Sequence, residues 1–412
     1  MVGAGRYTAA RVVWPGWLRI FMARDLEHAR ILIYSHDTFG LGHLRRCRRI
    51  AHALVGRFKG LSILILSGSP IIGRFEFRSR VDFVRVPGVI KLRDGDYTAL
   101  SLHMDLGEVL AMRAALIRET ARAFRPGLLL VDKEPLGLRG EVGETLGILK
   151  GQGARLVLGL RDVLDAPEAL AAEWQRKGAL TALEHLYDEI LIFGRREIYD
   201  PLVGLALSDA VRAKVHFTGY LSAAGSARAR AATAAPDAPI LVTTGGGGDG
   251  GDLVDWVLTA YESDPAIPSR AEIVLGPFMP GKLRTAFEAR AARLDRVAVL
   301  TFEADLGRRM ARAAGIVAMG GYNTFCEILS FDRPALIVPR RVPRLEQHLR
   351  ARRASELGLV RMLSDEHDRD PWRMAAALRE LPTRARPSRV MAPDFLDGSR
   401  AIGDRVEGWL QT

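Results

Sequence analysis

Cysteine is nearly absent. The sequence holds only Cys47 and Cys326, with no C-x-x-C pair and no His, Cys and acid spacing of a zinc site. A disulfide framework or a structural metal is therefore not expected, and a reducing cytoplasm suits the chain. No apolar run approaches the roughly 20 residues of a spanning helix, so no membrane crossing is expected. Lysine is scarce too: Lys59, Lys91, Lys133, Lys150, Lys177, Lys214 and Lys282 are the only ones among 59 basic residues. The net charge of +11 is thus carried by arginine. It favours anionic partners, although an arginine-rich codon preference explains it equally well. Aromatics make up 7 % of the chain and do not interleave with a basic stripe, which argues against nucleic acid. The extension over residues 1–29 contains WPGWLRIF, too broken by Pro15, Gly16 and Arg19 for a signal peptide. A disordered arm, a later start at Met22 and an interfacial anchor stay open for it.

What is present is a rhythm. The 412 residues suffice for two domains, and 48 % of them are apolar. From Arg30 an apolar strand runs into the loop DTFGLGH and then a helix expected from Leu44, with Arg45, Arg46, Arg48 and Arg49 on the side opposite its apolar residues. Strands and helices alternate to residue 222. Small residues and prolines over 223–238 read as a linker. The alternation then restarts with strand Ile240 to Thr243, the loop TGGGGDGGD and another helix. Such alternation predicts an α/β class with two Rossmann-like, doubly wound domains, 30–222 and 239–397, facing across a cleft. Residues 398–412 read as a terminal helix that packs back on the first domain.

The chemistry concentrates in the glycine loops and in Ala318 to Arg353. Gly245, Gly246, Gly247 and Gly248 open a loop whose backbone N–H groups can approach an anion at a helix start. The strands that follow the two loops end in Gly276-Pro277 and Ser67-Gly68. Neither supplies the acid that would hold the ribose of NAD or FAD, so neither cofactor is expected. Gly320-Gly321 precede Thr324 and Glu327, whose T-x-x-E spacing reads either as a capping box or as part of a phosphate seat. Glu346 and Gln347 open a helix after the basic loop PRRVPR. His43, at the end of the first glycine loop, suits a general base because a helix N-terminus favours neutral imidazole. Arg161 and Asp162 follow a strand and so sit at a sheet's carboxyl end. Asp94-Gly95-Asp96 has the D-x-D form of a metal-holding pair, but a glycine turn explains it, and no metal is expected. The arginines at 340, 341, 344, 350, 352 and 353 read as phosphate ligands or as a solvated face.

GGYNTFCE, PALIVP and EQHLRA resemble the donor-binding segment of glycosyltransferase family 28. DKEPLG and LGLRDVLD are more similar to a branch of bacterial polysaccharide glycosyltransferases. The resemblance implies a GT-B fold and transfer of a sugar from a nucleotide-diphosphate donor, a UDP-sugar foremost, without a metal or other cofactor. It implies a glycan or lipid-linked hydroxyl acceptor in polysaccharide or cell-envelope synthesis. On this basis Glu327 would hold the donor ribose, Gln347 with Glu346 the donor sugar, and the backbone at Phe302 the base. Gly245 to Gly248, Gly320, Gly321 and Thr324 would hold the diphosphate. Gly40, Gly42 and Arg161 would face the acceptor, with His43 or Asp162 as the base. Glu346 departs from the family's glutamine, which affects the sugar most, because a carboxylate only accepts where an amide also donates. A nucleotide-sugar 2-epimerase or hydrolase of the same fold, and a non-catalytic basic scaffold, are the other readings. The location follows as cytoplasmic, with peripheral attachment to an anionic inner membrane left open.

Overall fold

The computed structural model describes residues 24–25, 28–36, 42–91, 97–223, 235, 237–303, 305–364 and 369–410. Seven parallel strands form the first sheet: β1 (Arg30–Ser35), β2 (Ser62–Ser67), β3 (Val81–Arg85), β4 (Leu128–Asp132), β5 (Arg155–Arg161), β6 (Glu189–Phe193) and β7 (Val215–Phe217). Their order is β3-β2-β1-β4-β5-β6-β7. The second sheet holds β8 (Ile240–Thr243), β9 (Ala271–Val274), β10 (Val297–Leu300), β11 (Gly315–Ala318), β12 (Ala335–Ile337) and β13 (Arg361–Met362), ordered β10-β9-β8-β11-β12-β13. Both are doubly wound, and both reverse direction beside their first strand.

The strands are continuous apolar runs because helices cover both sheet faces. β4, LLLVD, is buried along its whole length, as is β8, ILVT. The reversal matters most for function. Between β1 and β4, and again between β8 and β11, neighbouring loops leave in opposite directions and open a crevice at the strands' carboxyl ends. The loop after β1 leads into α1 (Gly42–Arg57), and β4 ends at Asp132. On the other sheet the glycine loop after β8 leads into α3 (Gly251–Ser263), and Gly320-Gly321 after β11 lead into α4 (Tyr322–Phe331). A further helix, α2 (Leu106–Phe124), covers the first sheet.

Two boundaries differ from the sequence expectation. α1 begins at Gly42 instead of Leu44, so His43 stands on the helix itself. α4 begins at Tyr322 with Gly321 as its cap and no side-chain cap bond. The capping box of Thr324 and Glu327 is therefore not formed, because both residues already lie inside the helix. A hairpin of Val89–Lys91 and Tyr97–Ala99 went unforeseen. Asp94 and Asp96 lie outside the described residues, as do Gly40 and most of 223–238.

The closing helix α6 (Gly398–Leu410) packs against α1, where Arg57 pairs with Asp404 at 2.6 Å and Glu407 at 2.7 Å. Trp409 donates its indole N–H to Glu189 at 2.7 Å. Cys47 and Cys326 are both buried, and neither is disulfide-bonded. Among the described residues no helix is long and apolar enough to cross a membrane.

Candidate functional site

His43, in the first turn of α1, points at the end of β4. Its Nδ1 lies 2.5 Å from Asp132 Oδ2. Asp132 is held from its other side by Arg46, one turn along α1, through Nε to Oδ1 and Nη2 to Oδ2, both at 2.8 Å. Arg46 was expected on the polar face of the helix, yet it is 2 % exposed, because the carboxylate at the switch point draws it inward. Burial alone would raise the Asp132 carboxyl, but Arg46 and His43 outweigh it and hold its pKa at about 2. Burial pushes His43 below its ordinary 6.5; Asp132 opposes this, while Arg46 and Lys133 add to it. A neutral imidazole that donates Nδ1–H to Asp132 keeps the lone pair of Nε2 for a proton.

The second sheet faces this pair with backbone groups. Gly245 and Gly247 have φ of 69° and 89°, which only glycine adopts freely. A Cβ on Gly247 would stand 2.3 Å from the carbonyl oxygen of Leu275, so the loop can lie flat on its neighbour only without side chains. Thr324 Oγ1 faces Gly245, about 4.0 Å from where its Cβ would be. Asn323, in the first turn of α4, donates to the carbonyl of Gly42 at 2.9 Å. The starts of α1 and α4 therefore meet across the cleft, and both bring positive dipole ends to it.

Glu327 is 4 % exposed on α4. Arg45 and Arg49 of α1 reach its Oε1 at 2.7 and 3.4 Å, whereas Oε2 has no hydrogen-bond partner among the described residues. Glu346 and Gln347 open α5 (Glu346–Glu356) and are both buried. Glu346 forms an ion pair with Arg161 of the first sheet. Burial raises the Glu346 carboxyl, but Arg161, Arg350, Arg340 and Lys133 bring it below its ordinary value. Gln347 Oε1 accepts from the backbone N–H of Arg340 at 3.2 Å, and its amide nitrogen lies beside Gly321. Phe302 stands apart beyond edge strand β10, 59 % exposed.

Asp162 is placed where a base cannot work. It is 0 % exposed, and Arg350 of α5 clamps both oxygens at 2.7 and 2.6 Å. Tyr220 donates its hydroxyl to Oδ2 at 2.6 Å. Arg350 also donates to the carbonyl of Gly320 at 2.9 Å. The basic segment 340–353 is consequently not a uniform solvated face. Arg340 pairs with Asp249, Arg344 with Glu173 at 2.9 Å and Asp165 at 3.4 Å, and Arg350 is fully buried. Asp132, Arg46, Arg45 and Arg49 were missed as site residues. Asp132 had a signal, since it is the acid that ends a buried strand in DKEPLG.

No protein-family model matches the chain, and no curated protein matches its sequence. Solved structures do match. The glycotransferase of kitacinnamycin superposes with a TM-score of 0.63 at 14 % identity, over 93 % of this chain and 99 % of the other. MurG of Acinetobacter baumannii gives 0.57 at 12 % identity, over 92 % and 99 %. The UDP-GlcNAc 2-epimerase of Neisseria meningitidis, bound to UDP-GlcNAc, gives 0.58 at 12 % identity, over 93 % and 100 %. At such identities the likeness establishes the fold, the two-domain GT-B arrangement of Rossmann-like halves.

Proposed function

We propose that the chain is a glycosyltransferase that moves a sugar from a nucleotide-diphosphate donor, with a UDP-sugar as first candidate, to a hydroxyl acceptor. The observation that carries this is the meeting of two switch points, a His43–Asp132 pair on one sheet and a glycine loop with the start of α4 on the other. In the transfer, His43 Nε2 takes the proton of the acceptor hydroxyl as its oxygen attacks the anomeric carbon. The bond from that carbon to the diphosphate oxygen breaks, and the nucleotide leaves with the electron pair. The N–H groups of Gly245 to Gly248 and the first turn of α4 stabilise the negative charge that develops. Glu327 offers Oε2 to the ribose hydroxyls, and Gln347 its amide to the sugar. Asp162 is left as a fastener between the domains. A glycan or lipid-linked acceptor of the cell envelope follows from the family resemblance in the sequence.

Calorimetry with UDP, GDP and other nucleoside diphosphates tests the reading and identifies the base. Hydrogen bonds to a charged group contribute about 1.5–3 kcal/mol, so Glu327→Ala is expected to weaken nucleotide binding by roughly tenfold or more. Unchanged affinity in this variant sinks the assignment of Glu327. The absence of nucleotide binding in the natural chain would leave the scaffold reading in its place. The likeness to a 2-epimerase supports a second reading, conversion of the donor itself. Product analysis without acceptor separates the two, since an epimerase or hydrolase consumes the nucleotide sugar alone.

A further inference from the structure

The arginine run of α1, Arg45-Arg46-Cys47-Arg48-Arg49, divides between the two domains. Arg48 stays with its own, donating Nε to the carbonyl of Glu76 at 2.7 Å. The other three reach α4. Arg46 lies over the Tyr322 ring, 5.3 Å from its centroid, and Arg45 and Arg49 meet Glu327. Residues four apart share one face of a helix, and two like charges so placed repel. Here a single oxygen, Glu327 Oε1, accepts from both, at 2.7 Å from Arg45 Nη2 and 3.4 Å from Arg49 Nη2.

The carboxylate depends on them. Glu327 is 4 % exposed, and among the described residues every hydrogen bond to it comes from the first domain. A buried carboxylate without such partners is costly, so Glu327 is set in place only where α1 and α4 are together. The chain that crosses between the domains fastens this contact. Arg49 Nη1 donates to the carbonyl of Leu221 at 3.0 Å, and the N–H of Ala223 donates to Ser330 Oγ at 2.9 Å, in the turn of α4 after Glu327. With Oε1 anchored, Oε2 is the oxygen left to accept, since it has no hydrogen-bond partner among the described residues. An acceptor already held spares a ligand the cost of immobilising it.

We infer that Arg45 and Arg49 are positioning residues for the donor: reaching from the first domain, they fix Glu327 so that the nucleotide's ribose hydroxyls are read only across a closed cleft. The inference rests on the transfer reaction proposed above, in which Glu327 Oε2 meets those hydroxyls. The other chemistry open to two guanidiniums, direct contact with the diphosphate, gives a different experimental outcome.

The test is calorimetry on the full chain with UDP and GDP, carrying forward whichever binds together with its 2′-deoxy and 3′-deoxy forms. The natural chain is expected to bind the ribonucleotide about tenfold tighter than at least one deoxy form, which lacks a hydrogen bond to the Glu327 carboxylate. Immobilising one long side chain costs roughly two- to tenfold in affinity, so in Arg45→Gln that advantage should fall to about threefold or less. The variant should fold, because Arg45 is 33 % exposed and Arg49 still faces the carboxylate. In a Glu327→Ala background, with no carboxylate to position, adding Arg45→Gln should leave the ratio as it is. A purely structural loss, or the loss of a direct phosphate contact, weakens all forms in parallel. An unchanged ratio in Arg45→Gln therefore overturns the inference, as does a ratio that Arg45→Gln alters without Glu327. A natural chain that binds the ribonucleotide no better than either deoxy form keeps the transferase reading but takes Glu327 off the ribose, and this inference with it. Failure to bind either nucleoside diphosphate removes the proposed function itself and everything resting on it.

Discussion

Asp162→Ala is expected to destabilise the protein by about 3–5 kcal/mol, because it strands the guanidinium of Arg350 in a place water does not reach. Arg350 and Asp162 are each 0 % exposed, and they belong to different domains. Removing the carboxylate also leaves the Tyr220 hydroxyl without its acceptor. Thermal unfolding should report a drop on the order of 10 °C. The companion Asp162→Leu/Arg350→Met should recover most of the loss, since exchanging both charges for apolar groups of similar size removes the unpaired ion as well. A single variant that melts within 2 °C or so of the natural chain, beyond the usual scatter of surface substitutions, would show that the domains do not rest on this pair in solution. The result also bears on mechanism. A carboxylate whose loss unfolds the cleft is a fastener, and activity lost in Asp162 variants would not identify a base.

That pair shows where sequence reading stops. The strands were legible because an α/β sheet buries both faces, and β1, β4 and β8 are unbroken apolar runs with little other use. The glycine loops were legible because few residues fit a left-handed backbone. Pairings between arginines and acids were not. Periodicity put Arg46 on the outer side of α1, and nothing in RRCRR distinguishes it from Arg45, Arg48 and Arg49. Only the end of β4, 86 residues away, decides that Arg46 turns inward. Asp162 was expected at a carboxyl end and is there, but its partner is 188 residues distant on the other domain. Long-range pairing of like residue types leaves no local trace, so position could be read while occupancy could not. Glu346 illustrates the same limit. As a departure from the family's glutamine it looked like a change in sugar recognition, and the structure gives it Arg161 from the facing domain.

His43→Ala is expected to lower turnover by about 10²–10⁴-fold while leaving nucleotide affinity unchanged. The fold should tolerate it. Asp132 keeps its two bonds to Arg46 at 2.8 Å when the imidazole is removed, so no buried charge is left unpaired. The pH profile gives a second, independent readout. A base works only in its neutral form, and burial holds His43 below 6.5, so kcat/KM should stay flat through neutrality and fall only as pH drops through the depressed pKa. Steady-state rates across that range, with nucleotide binding measured in parallel, decide the matter. A variant that keeps full turnover, or a natural chain whose activity falls off above pH 6.5 on the acid side, would move the base away from His43. Asp132→Asn complements the test. An amide in this position can donate to Nδ1, which favours the tautomer with the proton on Nε2 and so removes the lone pair the reaction uses. Turnover should fall although His43 is still present, and Asp132 would then be a positioning residue whose contribution runs through the tautomer of its neighbour.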